Sequence, residues 1–302
     1  MRKIAFGYST RCNIRCEHCV AADAVPDNSK MTLAGAKEII TGMAAAKVEG
    51  ISFTAGEPLI YLDDICELIS LCRQYDIYTR VVTNAFWAKN PPLADIVVRR
   101  LLQSGLSQMR ISCSRWHQQY IARENILQAA ESCQRNGLEY FISFVTDFSK
   151  ADDAVEACLR THHLKFFPEP VIFSGRAAAF DRTPIRTDYQ ANCCPMNPYL
   201  APNLDMFACC DAGSHFMRTD FFLLGNLKNT GIDTLFRKSE ENRLYNHIRN
   251  LGITAIASFA GFKAREIIQY RKCELCEKLF NSPRMLDRLQ REAETGLTNW
   301  CR

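Results

Sequence analysis

The feature that most constrains the fold is a regular alternation of short apolar runs with amphipathic helical patterns. Residues 4–8, 50–53, 78–82, 109–112 and 141–145 read as strands, and 164–173 holds a sixth despite its prolines. Between them, Ala36, Ile39, Ile40 and Met43 share one helical face, with Thr32 as the expected cap. Ile65, Leu68, Ile69 and Cys72 repeat that spacing, Leu93, Val97 and Leu101 follow Pro91-Pro92, and Ile126, Ala129, Ala130 and Cys133 mark a further helix. A short helix is expected over 154–159. Six strand–helix repeats predict an α/β fold, a parallel sheet with helices outside. Ligands of such sheets gather at the C-terminal ends of the strands.

The 302 residues are 47% hydrophobic and 23% charged, an ordinary globular balance with length for one large domain and an extension. A net charge of +4 is too small to argue for a nucleic-acid partner. No apolar run has the length to span a bilayer, and Met1-Arg2-Lys3 leads into a strand rather than a signal peptide, so no membrane partner is expected. Fifteen cysteines without an export signal point to a reducing compartment, the cytoplasm, and to metal ligation rather than disulfides.

Three of these cysteines, Cys12, Cys16 and Cys19, follow the first strand with the spacing CxxxCxxC. Soft thiolates select iron–sulfur clusters, zinc or Cu(I). A closed zinc site needs a fourth ligand, for which His18 is nearest, whereas three thiolates around a four-iron cluster leave one iron open. A second motif, Thr54-Ala55-Gly56-Glu57-Pro58, ends the second strand. The pair resembles the signature of the radical S-adenosylmethionine (radical SAM) enzymes, with Ala-Gly-Glu-Pro where that family usually has Gly-Gly-Glu-Pro.

The resemblance implies a partial (β/α)6, TIM-like barrel over residues 1–180. By it, Cys12, Cys16 and Cys19 hold a [4Fe–4S] cluster whose fourth iron binds the amino and carboxylate groups of S-adenosyl-L-methionine. Glu57 bonds the methionyl ammonium, and Gly56 permits a close backbone approach. His18 stands where the family usually has an aromatic residue beside adenine. Asn84, after the third strand, matches an asparagine that meets the ribose, and Ser112 a serine that contacts the cofactor, although the usual Asp two residues on is Ser114 here. Read without the family, Asn84 is a turn cap and Ser112 a buried hydroxyl. His117 is a substrate contact or proton relay, or else a residue that starts a helix. Ser174-Gly175-Arg176-Ala177, after Pro170, resembles a Pro-x-x-Gly-Arg-Ala signature that closes the barrel in relatives with a C-terminal extension. Arg176 then reaches the cofactor carboxylate, braces two domains, or is a surface arginine.

Residues 178–190 are charged and irregular, and a second, small α+β domain is expected over 190–302. It carries Cys193-Cys194, Cys209-Cys210 and Cys273-Glu274-Leu275-Cys276, with Leu224-Gly225-Asn226 and a helix near 232–236 between them. That order resembles twitch and SPASM domains and implies one auxiliary [4Fe–4S] cluster, bound by Cys194, Cys209, Cys273 and Cys276. The sequence leaves open which member of each doublet binds. Residues 278–284 lack the further cysteines of a full SPASM set, so twitch is the better name. A structural zinc site and buried thiols are the alternatives. Cys66, Cys72, Cys133 and Cys158 fall at apolar helical positions and read as core; Cys301 is unassigned. With Cys209 as ligand, Cys210 is a spare thiol, either a hydrogen-atom donor to a substrate radical or a small buried apolar residue.

The chemistry implied is reductive cleavage of S-adenosylmethionine and hydrogen abstraction by the 5′-deoxyadenosyl radical. Relatives with such extensions favour a ribosomally made peptide as substrate, for epimerisation, cross-linking or oxidation. Dehydrogenation of an aminocyclitol or another small natural-product intermediate is the second reading, and a non-enzymatic iron–sulfur or zinc protein the third. A flavodoxin- or ferredoxin-type electron donor is implied. Because the chain begins at its first strand, a separate partner is expected to bind any leader peptide.

Overall fold

The computed structural model describes residues 1–20, 29–173, 175–181, 194–211 and 218–294. Strands and helices alternate as β1 (Arg2–Gly7), α1 (Leu33–Ala45), β2 (Val48–Thr54), α2 (Leu62–Gln74), β3 (Tyr78–Thr83), α3 (Pro91–Ser104), β4 (Gln108–Cys113), α4 (Arg123–Asn136), β5 (Glu139–Thr146), α5 (Asp153–Thr161) and β6 (Phe166–Pro170). Each strand pairs in parallel with the next, which gives the open, partial barrel of an α/β fold. Local chemistry sets the helix starts. Thr32 accepts a hydrogen bond from the Gly35 N–H, and Asn90 caps Leu93 ahead of Pro91 and Pro92, whose missing N–H groups cost nothing in a first turn. β6 is shorter than the expected strand. It stands at the edge of the sheet, where Pro168 and Pro170 are tolerated.

The strands bury one face under the helices through Ile4, Phe6, Ile51, Phe53, Val81, Met109, Ile111, Ile142 and Phe144. Side chains of alternate parity point to the concave side, and there Arg80 donates to Gln108 (2.6 Å) and Gln108 to Glu139 (2.6 Å). Of the cysteines read as core, Cys66, Cys72 and Cys133 are buried, while Cys158 is half-buried.

β7 (Tyr199–Leu200) runs parallel beside β1, and β8 (Asp205–Phe207) and β9 (Leu223–Asn226) follow it antiparallel. The extension thus prolongs the barrel sheet, in the order β6-β5-β4-β3-β2-β1-β7-β8-β9. Most of the expected boundary, and Cys193 with it, lies outside the described residues, as do Ser174 and Cys301. Helices α6 (Ile232–Glu241), α7 (Arg243–Leu251), α8 (Ile253–Phe259), α9 (Ala264–Ile267), α10 (Lys272–Phe280) and α11 (Pro283–Glu294) complete the fold. Arg2 ties β1 to α6 by ion pairs of 2.7 Å to both Asp233 and Glu240. Among the described residues, no helix is long and apolar enough to cross a membrane.

Candidate active site

The loop after β1 is fixed by three other elements. Glu57 N–H donates to the Arg11 carbonyl (2.8 Å), Asn84 Nδ2 to Asn13 Oδ1 (2.9 Å), and Arg176 Nη1 to the Cys16 carbonyl (3.3 Å). Gly56 has a φ of +57°, and a Cβ there would stand 2.3 Å from the Arg11 oxygen. The close approach read from the sequence is therefore made to the cysteine loop itself. Ala55 adopts a φ of 64°, in the left-handed region that suits glycine better.

Glu57 is 2% exposed and accepts hydrogen bonds from Leu59 N–H (3.1 Å), Thr83 Oγ1 (2.9 Å) and Asn84 N–H (2.7 Å). Burial nevertheless raises its carboxyl to about 7. Among the described residues it has no cationic partner. Asn84 also closes an Asx turn by accepting from Phe86 N–H (3.0 Å), so it is turn cap and loop brace together.

Opposite these groups, the His18 ring stacks on Trp116 at 4.9 Å and meets His117 edge-on at 4.6 Å. Trp116 stacks in turn on Phe180 and lies under the Arg115 guanidinium at 3.9 Å, while Arg115 is anchored by Asp147 (2.6 Å) and Asp152 (2.7 Å). Ser114 Oγ lies 2.7 Å from His117 Nδ1 and accepts from the His117 N–H at 3.1 Å. His117 thus occupies a buried turn that faces the site. Burial lowers it to about 4 and pushes His18 further down, so both imidazoles are neutral near pH 7. Ligand atoms of Cys16, His18 and His117 lie within 4.8 Å of one another.

All of these elements border one cavity of about 600 Å³, within the range of roughly 300–1,000 Å³ of small-molecule sites. Its lining includes Cys12, Cys16, Cys19, Gly56, Glu57, Asn84, Ser112, His117 and Arg176, which brings together every barrel residue singled out from the sequence. Burial pushes the Cys16 thiol up to about 12, so it ionises only with help from a metal or cation. The sequence reading did not single out Arg110, Ser143, Glu169 and Asp211, which also line the cavity. Arg110 donates to Ser143 Oγ (2.8 Å) and pairs with Glu169. The usable signal was parity: Arg110 and Ser112 alternate with the buried Met109 and Ile111 along β4.

A second, small pocket lies in the extension. Cys194, Cys209, Cys273 and Cys276 line it, with Lys272 and Asp211, among apolar side chains such as Phe222 and Ile248. Cys273 and Cys276 are three apart on α10 and share a face. Cys210 lines neither this pocket nor the cavity; it packs against Ala5, Ala55, Tyr199 and Ala201. Burial, Asp211 and Cys209 hold its thiol well above the usual range. Asp211 borders both hollows.

A sequence profile of the Radical SAM superfamily matches residues 7–146. The YydG protein of Bacillus subtilis (strain 168), named for peptide biosynthesis, is 21% identical over 135 residues, 44% of this chain and 42% of that protein. The chain spans less than half the length of the curated relatives it matches. The structure of hexahistidine-tagged anSMEcpe with bound AdoMet shares the fold at a TM-score of 0.62 and 14% identity, over 97% of this chain and 99% of that one. BtrN in complex with AdoMet and 2-DOIA does so at a TM-score of 0.53 and 14% identity, over 84% and 89%.

Proposed function

We propose that this chain, by its match to the Radical SAM superfamily over residues 7–146, is a radical SAM enzyme with a [4Fe–4S] cluster and S-adenosylmethionine as cofactors, and that it abstracts a hydrogen atom from a peptide substrate. The observation that carries the site is the convergence of Cys12, Cys16 and Cys19 with Glu57 on one cavity. When bound, the cluster and cofactor supply reductive cleavage of a sulfonium and a hydrogen-abstracting radical.

The residues present fit those groups. Three thiols on one braced loop suit a cluster with one open iron. Glu57 is a buried carboxylate with no cation of its own among the described residues, which suits the ammonium of the cofactor. His18, neutral and stacked on Trp116, offers a flat apolar face where an adenine ring would rest. Asn84, Ser112 and Arg176 line the same cavity and are the candidate polar contacts for ribose and carboxylate.

Cys194, Cys209, Cys273 and Cys276 are the proposed ligands of an auxiliary [4Fe–4S] cluster. Tetrahedral zinc needs sulfurs about 3.8 Å apart. The four cysteines line one small pocket, and iron and zinc analysis separates a cluster from a zinc site there. Cys210 is the proposed spare thiol, and its packing against Ala55 favours the apolar role over hydrogen donation.

The peptide reading is supported by YydG, whose name assigns it to peptide biosynthesis; a small-molecule substrate is the second reading, supported by relatives named pre-heme d1 synthase (23% identical over 184 residues) and GTP 3′,8-cyclase (26% identical over 109 residues) and by the shared fold of BtrN. The test is 5′-deoxyadenosine formation by anaerobically reconstituted protein given S-adenosylmethionine and dithionite, which stands in for a flavodoxin or ferredoxin. Product is expected from the wild type and not from Cys12→Ala; equal amounts from both would remove the reading.

A further inference from the structure

We propose that Lys272 is a tuning residue for the auxiliary cluster, its ammonium raising the reduction potential of iron held by Cys194, Cys209, Cys273 and Cys276. The inference rests on the four-cysteine reading of the extension and goes beyond it to the electrostatics. Lys272 opens α10, immediately before Cys273, and lines the small pocket with all four cysteines. It is half-buried, and among the described residues its ammonium has neither an ion pair nor a hydrogen bond. A half-buried lysine ordinarily finds a carboxylate. Here its pocket holds four thiols and one carboxylate, Asp211, whose charge also acts on it.

Adding an electron to a four-iron, four-thiolate cluster makes a dianion a trianion. In a pocket whose other walls, Asp211 apart, are apolar, a fixed cation stabilises the more negative state, because the attraction is poorly screened there. Net charge and polar neighbours are among the levers that set such potentials. Among the described residues, Asp211 is the sole carboxylate lining the pocket and forms a wall common to the barrel cavity. A raised potential makes this cluster the better electron acceptor from that side.

The experiment isolates the second cluster in the full chain by replacing Cys12, Cys16 and Cys19 with Ala, then titrates it by EPR at controlled potential. Lys272→Met and Lys272→Gln should retain about four irons and shift the midpoint negative, while Lys272→Arg should return it towards the parent value. Midpoints that coincide in all variants would overturn the inference and leave the cluster standing. Iron loss in both neutral variants, with Lys272→Arg intact, would make the lysine an assembly requirement rather than a tuning group. If the parent holds no cluster at all, the four-cysteine reading fails, and the inference with it.

Discussion

Glu57 carries two loads, and they separate by substitution. Glu57→Ala would strand three buried donors, each at about 1–3 kcal/mol, so it reports on folding as much as on binding. Glu57→Gln keeps most of the bonds and removes the charge. A lost charge-assisted bond is worth about 1.5–3 kcal/mol, so Glu57→Gln should weaken S-adenosylmethionine binding roughly 10- to 100-fold, read by calorimetry on cluster-loaded protein, with iron content unchanged. pH follows from the same group. Its carboxyl is raised to about 7 in the fold, so between pH 4.5 and 7 the native state holds a proton that the unfolded chain has lost. That stability, on the order of 3 kcal/mol, is present below the unfolded value and is lost as pH rises through 7. Urea unfolding of cofactor-free protein should show this decline in the wild type and not in Glu57→Gln. The carboxylate and its position after a strand were legible in the sequence. Its three donors were not, since Thr83 and Asn84 reach it only once β3 lies beside β2.

At the scale of elements, the cysteine loop is held in place by the turn after β2. Gly56→Ala combines a left-handed φ with a Cβ 2.3 Å from the Arg11 oxygen. Gly137 also has a positive φ, 73°, but its Cβ would meet nothing within 4 Å. Gly137→Ala should therefore cost about 1–2 kcal/mol, and Gly56→Ala clearly more, with poor iron incorporation because the loop is displaced. Equal shifts in thermal unfolding for the two variants would contradict this bracing. The succession of strands and helices, the helix faces, the cap at Thr32 and the helix start at Pro91-Pro92 were readable because each depends on neighbours in sequence. The concave face of the sheet was not. Arg110 and Glu169 meet across β4, β5 and β6, and only the pairing register brings them together.

At the scale of the molecule, one sheet carries both cysteine sets: β1 delivers the loop, and β7 extends the same sheet into the four-cysteine pocket. The sequence order of cysteines, hairpin and helix anticipated that pocket. It left Cys209 and Cys210 undecided, and placement separates them, with Cys209 in the pocket and Cys210 packed on the Ala5 side. Cys209→Ala should accordingly lose the second cluster, and Cys210→Ala should keep it. The central claim, two clusters served by one continuous sheet, is tested most directly by iron analysis of anaerobically reconstituted protein. About eight irons per chain are expected in the wild type and about four when Cys12, Cys16 and Cys19 are replaced by Ala. Four irons together with one zinc in the wild type would contradict the account.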